Sequence, residues 1–192
     1  MSQNKKIIAV TGQIGSGKST LCGILRDAGE TCFSCDAINK ELLTQKNYLE
    51  GLKHLFPDVF DGDFFCKEKL RNLIYENENE RQKLNKYSHS RIKYELLRMI
   101  DECDKQRVFV EVPLLNQTDF TVLFDEIWVV VANEKMRTRR LMIRDHSTME
   151  FIQRQIASQH ETTEYSVRVE IIQNNGDMEE LRNKVNELLK KI

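Results

Sequence analysis

At 192 residues the chain has the length of one domain that can bury its own core without metals or disulfides. Lys plus Arg (29) and Asp plus Glu (30) nearly cancel to a net charge of -1, which excludes a global field drawing the protein onto nucleic acid or a membrane surface. No apolar run reaches the roughly 18 to 20 residues of a spanning helix, and the opening MSQNKK leads into a strand rather than a cleavable signal. With an odd count of five cysteines, the expectation is reduced thiols in a cytoplasmic protein that acts as a monomer on small molecules.

In chain order, continuous apolar runs rich in β-branched residues stand at Ile7–Val10, Cys32–Phe33, Val108–Val112, Ile127–Val131 and Val169–Ile172. Runs of this kind mark strands buried on both faces of a parallel sheet. After the first, Leu21, Ile24, Leu25 and Ala28 repeat at helical spacing. From Ala37 to about Gln106 the sequence is charged and helix-forming with no convincing strand, with Leu84, Ile92, Leu96 and Ile100 near the helical period and Glu76–Glu80 read as a solvated turn. The last helix carries Met178, Leu181, Val185, Leu188 and Ile192 behind Asp177 and Glu180, a capping box. The predicted architecture is α/β: a five-stranded parallel sheet flanked by helices in one domain, with core 1–36 and 107–192 and a helical insertion at about 37–106.

The segment GQIGSGKS, Gly12–Ser19, fits G-x-x-x-x-G-K-[ST] between a strand and a helix, the order that a phosphate loop requires. Gly12, Gln13, Ile14, Gly15, Ser16, Gly17 and Thr20 are expected to wrap the triphosphate of ATP, with backbone N–H groups and a helix N-terminus turned toward it. Lys18 reaches the β- and γ-phosphates, and Ser19 offers a hydroxyl to Mg²⁺. Glu111, at the end of an apolar run, is the candidate second member of the Mg²⁺ shell, against the alternative of a solvent-facing strand end.

Lys135, Arg137, Arg139, Arg140, Arg144 and Arg154 crowd into twenty residues, with Arg137, Arg140 and Arg144 on one helical face. Beside a polyphosphate this face reads as a lid over about residues 137–160 rather than a merely solvated one. Asp36 follows the second strand at the ligand-binding edge of the sheet; it is either the general base for an attacking hydroxyl or a cap for the next helix. Cys32 and Cys35 form a lone C-x-x-C, read as structural, Cys32 as a small apolar group in a buried strand.

Taken together, VTGQIGSGKST (Val10–Thr20), DAI (Asp36–Ile38), LR (Leu70, Arg71), LNKYSH (Leu84–His89), VPLL (Val112–Leu115), RLMIRD (Arg140–Asp145), IASQ (Ile156–Gln159) and IIQNNGD (Ile171–Asp177) resemble the dephospho-CoA kinases over nearly the whole chain. The resemblance implies a P-loop kinase fold with a helical acceptor-binding insertion and an Arg-rich lid. It also implies transfer of the γ-phosphate of ATP to the ribose 3′-hydroxyl of dephospho-CoA. Asp36 becomes the catalytic base and Arg140 a lid arginine acting with Lys18, and Arg144 falls in the same segment. Asn174, Asn175 and Gly176 would lie beside the adenine, and Leu70, Arg71, His89 and Leu114 on the acceptor side. The chain departs from the family pattern at Ser34, Ser90, Asn116 and Gln117, all toward the acceptor. Two rivals follow: a kinase of the same fold acting on a nucleotide or nucleoside, and an ATP-binding regulator without transfer.

Overall fold

The five β-branched runs lie side by side in one sheet. The computed structural model describes residues 5–145, 148–157, 159 and 165–192. Its strands are β1 (Lys6–Thr11), β2 (Thr31–Ser34), β3 (Phe60–Asp61), β4 (Phe64–Phe65), β5 (Arg107–Glu111), β6 (Glu126–Val131) and β7 (Arg168–Gln173). All but β3 and β4 form a parallel sheet of order β2-β5-β1-β6-β7. Between them run helices α1 (Lys18–Asp27), α2 (Cys35–Leu42), α3 (Lys46–Leu55), α4 (Lys67–Glu76), α5 (Glu78–Glu102), α6 (Glu134–Asp145), α7 (Met149–Ala157) and α8 (Met178–Leu189). This is the expected α/β architecture.

The chain separates into two compact units, one made by the stretch ending at Cys35 and by Cys103–Ile192, the other by Asp36–Glu102. In the first, Leu21 and Leu25 of α1 and Leu181 and Val185 of α8 pack on Ile8, Val10, Phe109, Trp128, Val130 and Ile172 of the sheet. Phe109 and Trp128 meet with ring centroids 5.1 Å apart, a separation at which tilted aromatic pairs attract. The alternate side chains Ala9, Val108, Val110 and Val129 are equally shielded, at 0 % exposure, so β1, β5 and β6 are buried on both faces, which is why their sequences run apolar without alternation.

That expectation fails at the two edges. Cys32 on β2 is only half-buried, because β2 has a neighbour on one side alone, and β7 leaves Ile171 48 % exposed. Cys35 stands on a different element, buried at the start of α2.

The second unit has its own apolar cluster of Leu52, Phe56, Val59, Phe60 and Leu70, with Leu84 and Tyr87 against it. Asn77 alone divides α4 from α5, so the stretch Glu76–Glu80, expected as a solvated turn, is instead the end of one helix and the start of the next; the Asn77 side-chain oxygen caps α5 by accepting from the backbone N–H of Asn79 at 3.0 Å. Where no strand was expected, β3 and β4 pair antiparallel, Phe60 opposite Phe65, about Gly62 at φ 63. Two-residue strands lie below any periodicity signal; the Asp61-Gly62 pair was the one local sign of this hairpin.

Candidate active site

β1 ends in the middle of the sheet, flanked by β5 and β6, and the loop Gly12–Gly17 leaves it at the carboxyl edge, where open α/β sheets bind ligands. Gly17 is the N-cap of α1 at φ 103, ψ 22, and a Cβ there would stand 2.1 Å from Asn174 Nδ2. Only glycine admits both the left-handed turn and this approach. Lys18 Nζ folds back along the loop, donating to the carbonyls of Gly12 (2.7 Å) and Gln13 (3.2 Å), so the ammonium lies over the first half of the loop.

Ser19 Oγ donates to Glu111 Oε1 at 2.7 Å. Glu111 closes β5, in register with Val10 of β1 and Ser34 of β2, and is 7 % exposed, not a solvent-facing strand end. The pair presents hard oxygen donors, a hydroxyl and a carboxylate, which suits Mg²⁺, an ion that fills its remaining positions with water and phosphate oxygens.

Asn174 binds the loop from the far side. It is 4 % exposed; its backbone N–H donates to Val131 O at 2.8 Å, its Nδ2 to Ser16 O at 2.7 Å, and its Oδ1 accepts from Arg140 Nη2 at 3.3 Å. Arg140 also reaches Ser16 O at 3.3 Å, and burial lowers the proton affinity of its guanidinium. Thr20, Arg140, Asn174 and Gly176 line one cavity of about 110 Å³ with Asp177 and Leu181. Asn175 stands beside it, its Oδ1 accepting from the N–H of Asn133 at 2.7 Å. Asp177 caps α8 by accepting from Glu180 N at 2.9 Å, which holds this turn in place.

The basic helix divides by depth. Arg137 is 4 % exposed and donates to Gln13 Oε1. Arg144, a turn beyond Arg140, is exposed and grips Asp145 through Nε at 2.6 Å and Nη2 at 2.8 Å, the hydrogen bond raising its proton affinity. Leu141, Ile152 and Ile156 join α6 to α7 over Ile14 of the loop. Within the span read as a lid, residues 146, 147, 158 and 160 lie outside the described residues. Gln159 is a contact that residue-by-residue reading missed: Ile14 N donates to its Oε1 at 2.7 Å and Gln13 Nε2 to its carbonyl at 3.0 Å. The matched IASQ stretch was its one signal.

The loop after β5 is tied to β1 through Val112 N to Val10 O at 3.0 Å and Leu115 N to Thr11 Oγ1 at 3.4 Å. Leu114 there has φ 49, a strained left-handed residue of the kind that accumulates at functional sites. Asn116 and Gln117 are exposed in the next turn. In the second unit Asp36 is exposed in the first turn of α2, and His89 is half-buried on α5. Beside His89, Ser88 Oγ and Tyr48 Oη are 3.1 Å apart, and Tyr87 Oη donates to Tyr48 O at 2.8 Å, a polar cluster that sequence did not single out. Leu70 belongs to the apolar cluster of this unit, while Arg71 is exposed and pairs with Glu68 at 3.8 Å. Ser90 is exposed and donates to Tyr87 O at 3.0 Å.

The model of the dephospho-CoA kinase family matches residues 6–180. A Streptococcus agalactiae protein named dephospho-CoA kinase is 31% identical, the match covering 97% of this chain and 99% of that one. One of the same name from Enterococcus faecalis is 31% identical over 96% of each. A Thermus thermophilus crystal structure superposes with a TM-score of 0.86 at 26% identity over 98% of both chains. A dephospho-CoA kinase from Campylobacter jejuni, 21% identical with a TM-score of 0.65 over 97% of this chain and 96% of that one, shares the fold.

Proposed function

The chain belongs to the dephospho-CoA kinase family, and from that premise we propose how its residues divide the work. The enzyme is a phosphotransferase that moves the γ-phosphate of ATP to the 3′-hydroxyl of dephospho-CoA, the last step of coenzyme A synthesis. The observation that carries the assignment of roles is the Ser19–Glu111 contact at 2.7 Å, one residue from Lys18 on a loop with the phosphate-binding sequence.

Gly12–Thr20 hold the triphosphate through backbone N–H groups and the N-terminus of α1. Lys18 exchanges its loop carbonyls for β- and γ-oxygens on binding. Ser19 and Glu111 would hold Mg²⁺, which when bound would neutralise charge on the phosphates. Arg140 keeps its place beside Asn174 and stabilises charge developing on the transferred group. The cavity at Asn174 and Gly176, flanked by Asn175, takes the adenine. Asp36 accepts the proton of the acceptor hydroxyl as its oxygen attacks phosphorus, a role that requires an ionised carboxylate; its exposure in the first turn of α2 supports this reading. Leu70, Arg71, His89 and Leu114 serve the acceptor, and Arg144 meets the nucleotide when the far end of α6 and α7 close as a lid. The odd count of five cysteines supports a reducing, cytoplasmic setting, and the enzyme acts as a monomer.

The test is ADP release from ATP and Mg²⁺ with dephospho-CoA, AMP, CMP, adenosine or no acceptor. Stimulation by dephospho-CoA with CoA as product is expected. Stimulation by another acceptor alone would move the assignment to a nucleotide or nucleoside kinase, and binding of ATP without transfer would leave a regulator.

A further inference from the structure

Arg137 is a buried cation to which the described residues supply too few acceptors. Its side chain is 4 % exposed, and Nη1 donates to Gln13 Oε1. Nε and Nη2 have no hydrogen-bond partner among the described residues, and no carboxylate there forms an ion pair with it; Glu134 acts on it only through its field. Burial draws its proton affinity down, as expected of a charge without a counter-ion. Enclosing an ion without a counter-charge is strongly unfavourable, so a guanidinium persists in such a place where an anion arrives.

Its position is fixed from both sides. A Cβ on Gly15 would stand 3.0 Å from Arg137 O and 3.2 Å from Arg137 Cβ, so the first turn of α6 rests directly on the loop. That turn is anchored by Asn133, whose Oδ1 accepts from Met136 N at 2.8 Å and whose N–H donates to Asn175 Oδ1 at 2.7 Å. Gln13 is held in turn by Gln159. The two unpartnered nitrogens, Nε and Nη2, are enclosed in this structure and form one edge of the guanidinium, a fork that matches two oxygens of a phosphate once the loop admits one.

Which phosphate follows from the position along the loop. The N-terminus of α1, at Gly17 to Ser19, faces the β-phosphate, whereas Arg137 meets the other end, at Gln13 and Gly15. Lys18 Nζ, which bridges β- and γ-oxygens, already lies on Gly12 O and Gln13 O. We propose that Arg137 is a ligand of the terminal phosphate of ATP, its Nε and Nη2 edge binding γ-oxygens and so distinguishing ATP from ADP. This inference rests on the loop being an ATP site.

The experiment is calorimetric titration of ATP and of ADP, each with Mg²⁺ and no acceptor, into wild type, Arg137→Gln and Arg137→Lys. Loss of a charge-assisted contact in Arg137→Gln is expected to weaken ATP about tenfold to a hundredfold and ADP by less than about twofold. Arg137→Lys, which keeps the charge without the fork, should lose part of the ATP preference. If Arg137→Gln weakens ATP and ADP alike, or neither, Arg137 is a strut for the loop and the inference falls. Should Arg137→Gln fail to fold, Arg137→Lys decides on the same ratio, an unchanged ATP-to-ADP preference overturning the inference. Wild type that binds neither nucleotide would instead overturn the kinase reading.

Discussion

Replacing Gly17 by alanine tests the coupling of the phosphate loop to Asn174. At φ 103 and ψ 22 an L side chain carries roughly 1–2 kcal/mol of backbone strain. The new Cβ would also lie 2.1 Å from Asn174 Nδ2 and 3.4 Å from its Cγ, so the amide must leave. Its departure strips Ser16 O of a donor now at 2.7 Å, in a place where Asn174 is 4 % exposed; an unmatched buried carbonyl costs about 1–3 kcal/mol. The two terms give about 2–5 kcal/mol, a large part of a typical stability of about 5–15 kcal/mol. Denaturant unfolding of Gly17→Ala, Asn174→Ala and the double variant separates them. Asn174→Ala already incurs the lost hydrogen bond, so adding Gly17→Ala to it should cost only the backbone strain, with a coupling of about 1–3 kcal/mol. Single-variant effects that add to within about 0.5 kcal/mol would refute the coupling.

Glu111→Gln keeps an acceptor for Ser19 and should keep the fold, while the Mg²⁺ concentration for half-maximal turnover rises about tenfold or more; an unchanged Mg²⁺ dependence removes Glu111 from the metal site. Asp36→Asn should lower kcat by about 10²–10⁴ with the KM for ATP changed by less than about threefold, and weakened ATP binding with turnover kept at saturation contradicts Asp36 as base. Glu126 is 2 % exposed beside Lys6 Nζ at 2.9 Å and accepts from Trp128 Nε1 at 2.9 Å. Burial works to raise its carboxyl, but the hydrogen bonds from Lys6 and Trp128 and the charges of Lys6 and Arg168 outweigh it and hold the group below its ordinary value. Its contribution is therefore complete above the unfolded-chain titration near about 4.3 and disappears as pH falls through the lower folded value. Glu126→Gln should cost about 1–3 kcal/mol at pH 7, the gap to wild type closing below about pH 4; a gap constant between the two conditions would refute the assignment.

What the sequence made legible follows from which interactions are local. A phosphate loop is contiguous, so Gly12–Ser19 and its flanking strand and helix could be read directly, and the end of an apolar run placed Glu111 beside Ser19 because parallel strands end at one edge. Asp177 and Glu180, three residues apart, likewise declared their cap. Strand order is not local: nothing within Cys32–Phe33 or Val169–Ile172 says that these strands lie at the edges, so their exposure could not be foreseen. The hairpin at Gly62 was too short for a pattern to show. Arg137, Arg140 and Arg144 share a face by spacing, yet their fates differ. Seven residues of helix advance about 10 Å, enough to take Arg144 from the loop to solvent while Arg137 stays buried against it.

That difference in depth bears on how the enzyme handles charge. Among the described residues, the charged side chains at the loop are the cations Lys18, Arg137 and Arg140 against one carboxylate, Glu111, which Ser19 engages. The local excess of positive charge sits within a chain whose net charge is -1. Magnesium-bound ATP carries roughly two negative charges, close to the local surplus, so at the proposed site its binding would neutralise the loop and leave little charge enclosed in a low dielectric. Arg137 and Arg140 are in place before any closure, anchored through Asn133 and Asn174 to the ends of the strands. In the proposed roles their electrostatic contribution would be available without reorganisation at the moment of transfer. The proposed lid closure, confined to the far end of α6 and to α7, would do less: it would bring Arg144 inward and keep water from the attacked phosphorus. Loss of Arg144 should therefore raise ATP hydrolysis relative to transfer, read as ADP released in excess of CoA formed, whereas loss of Arg140 lowers both.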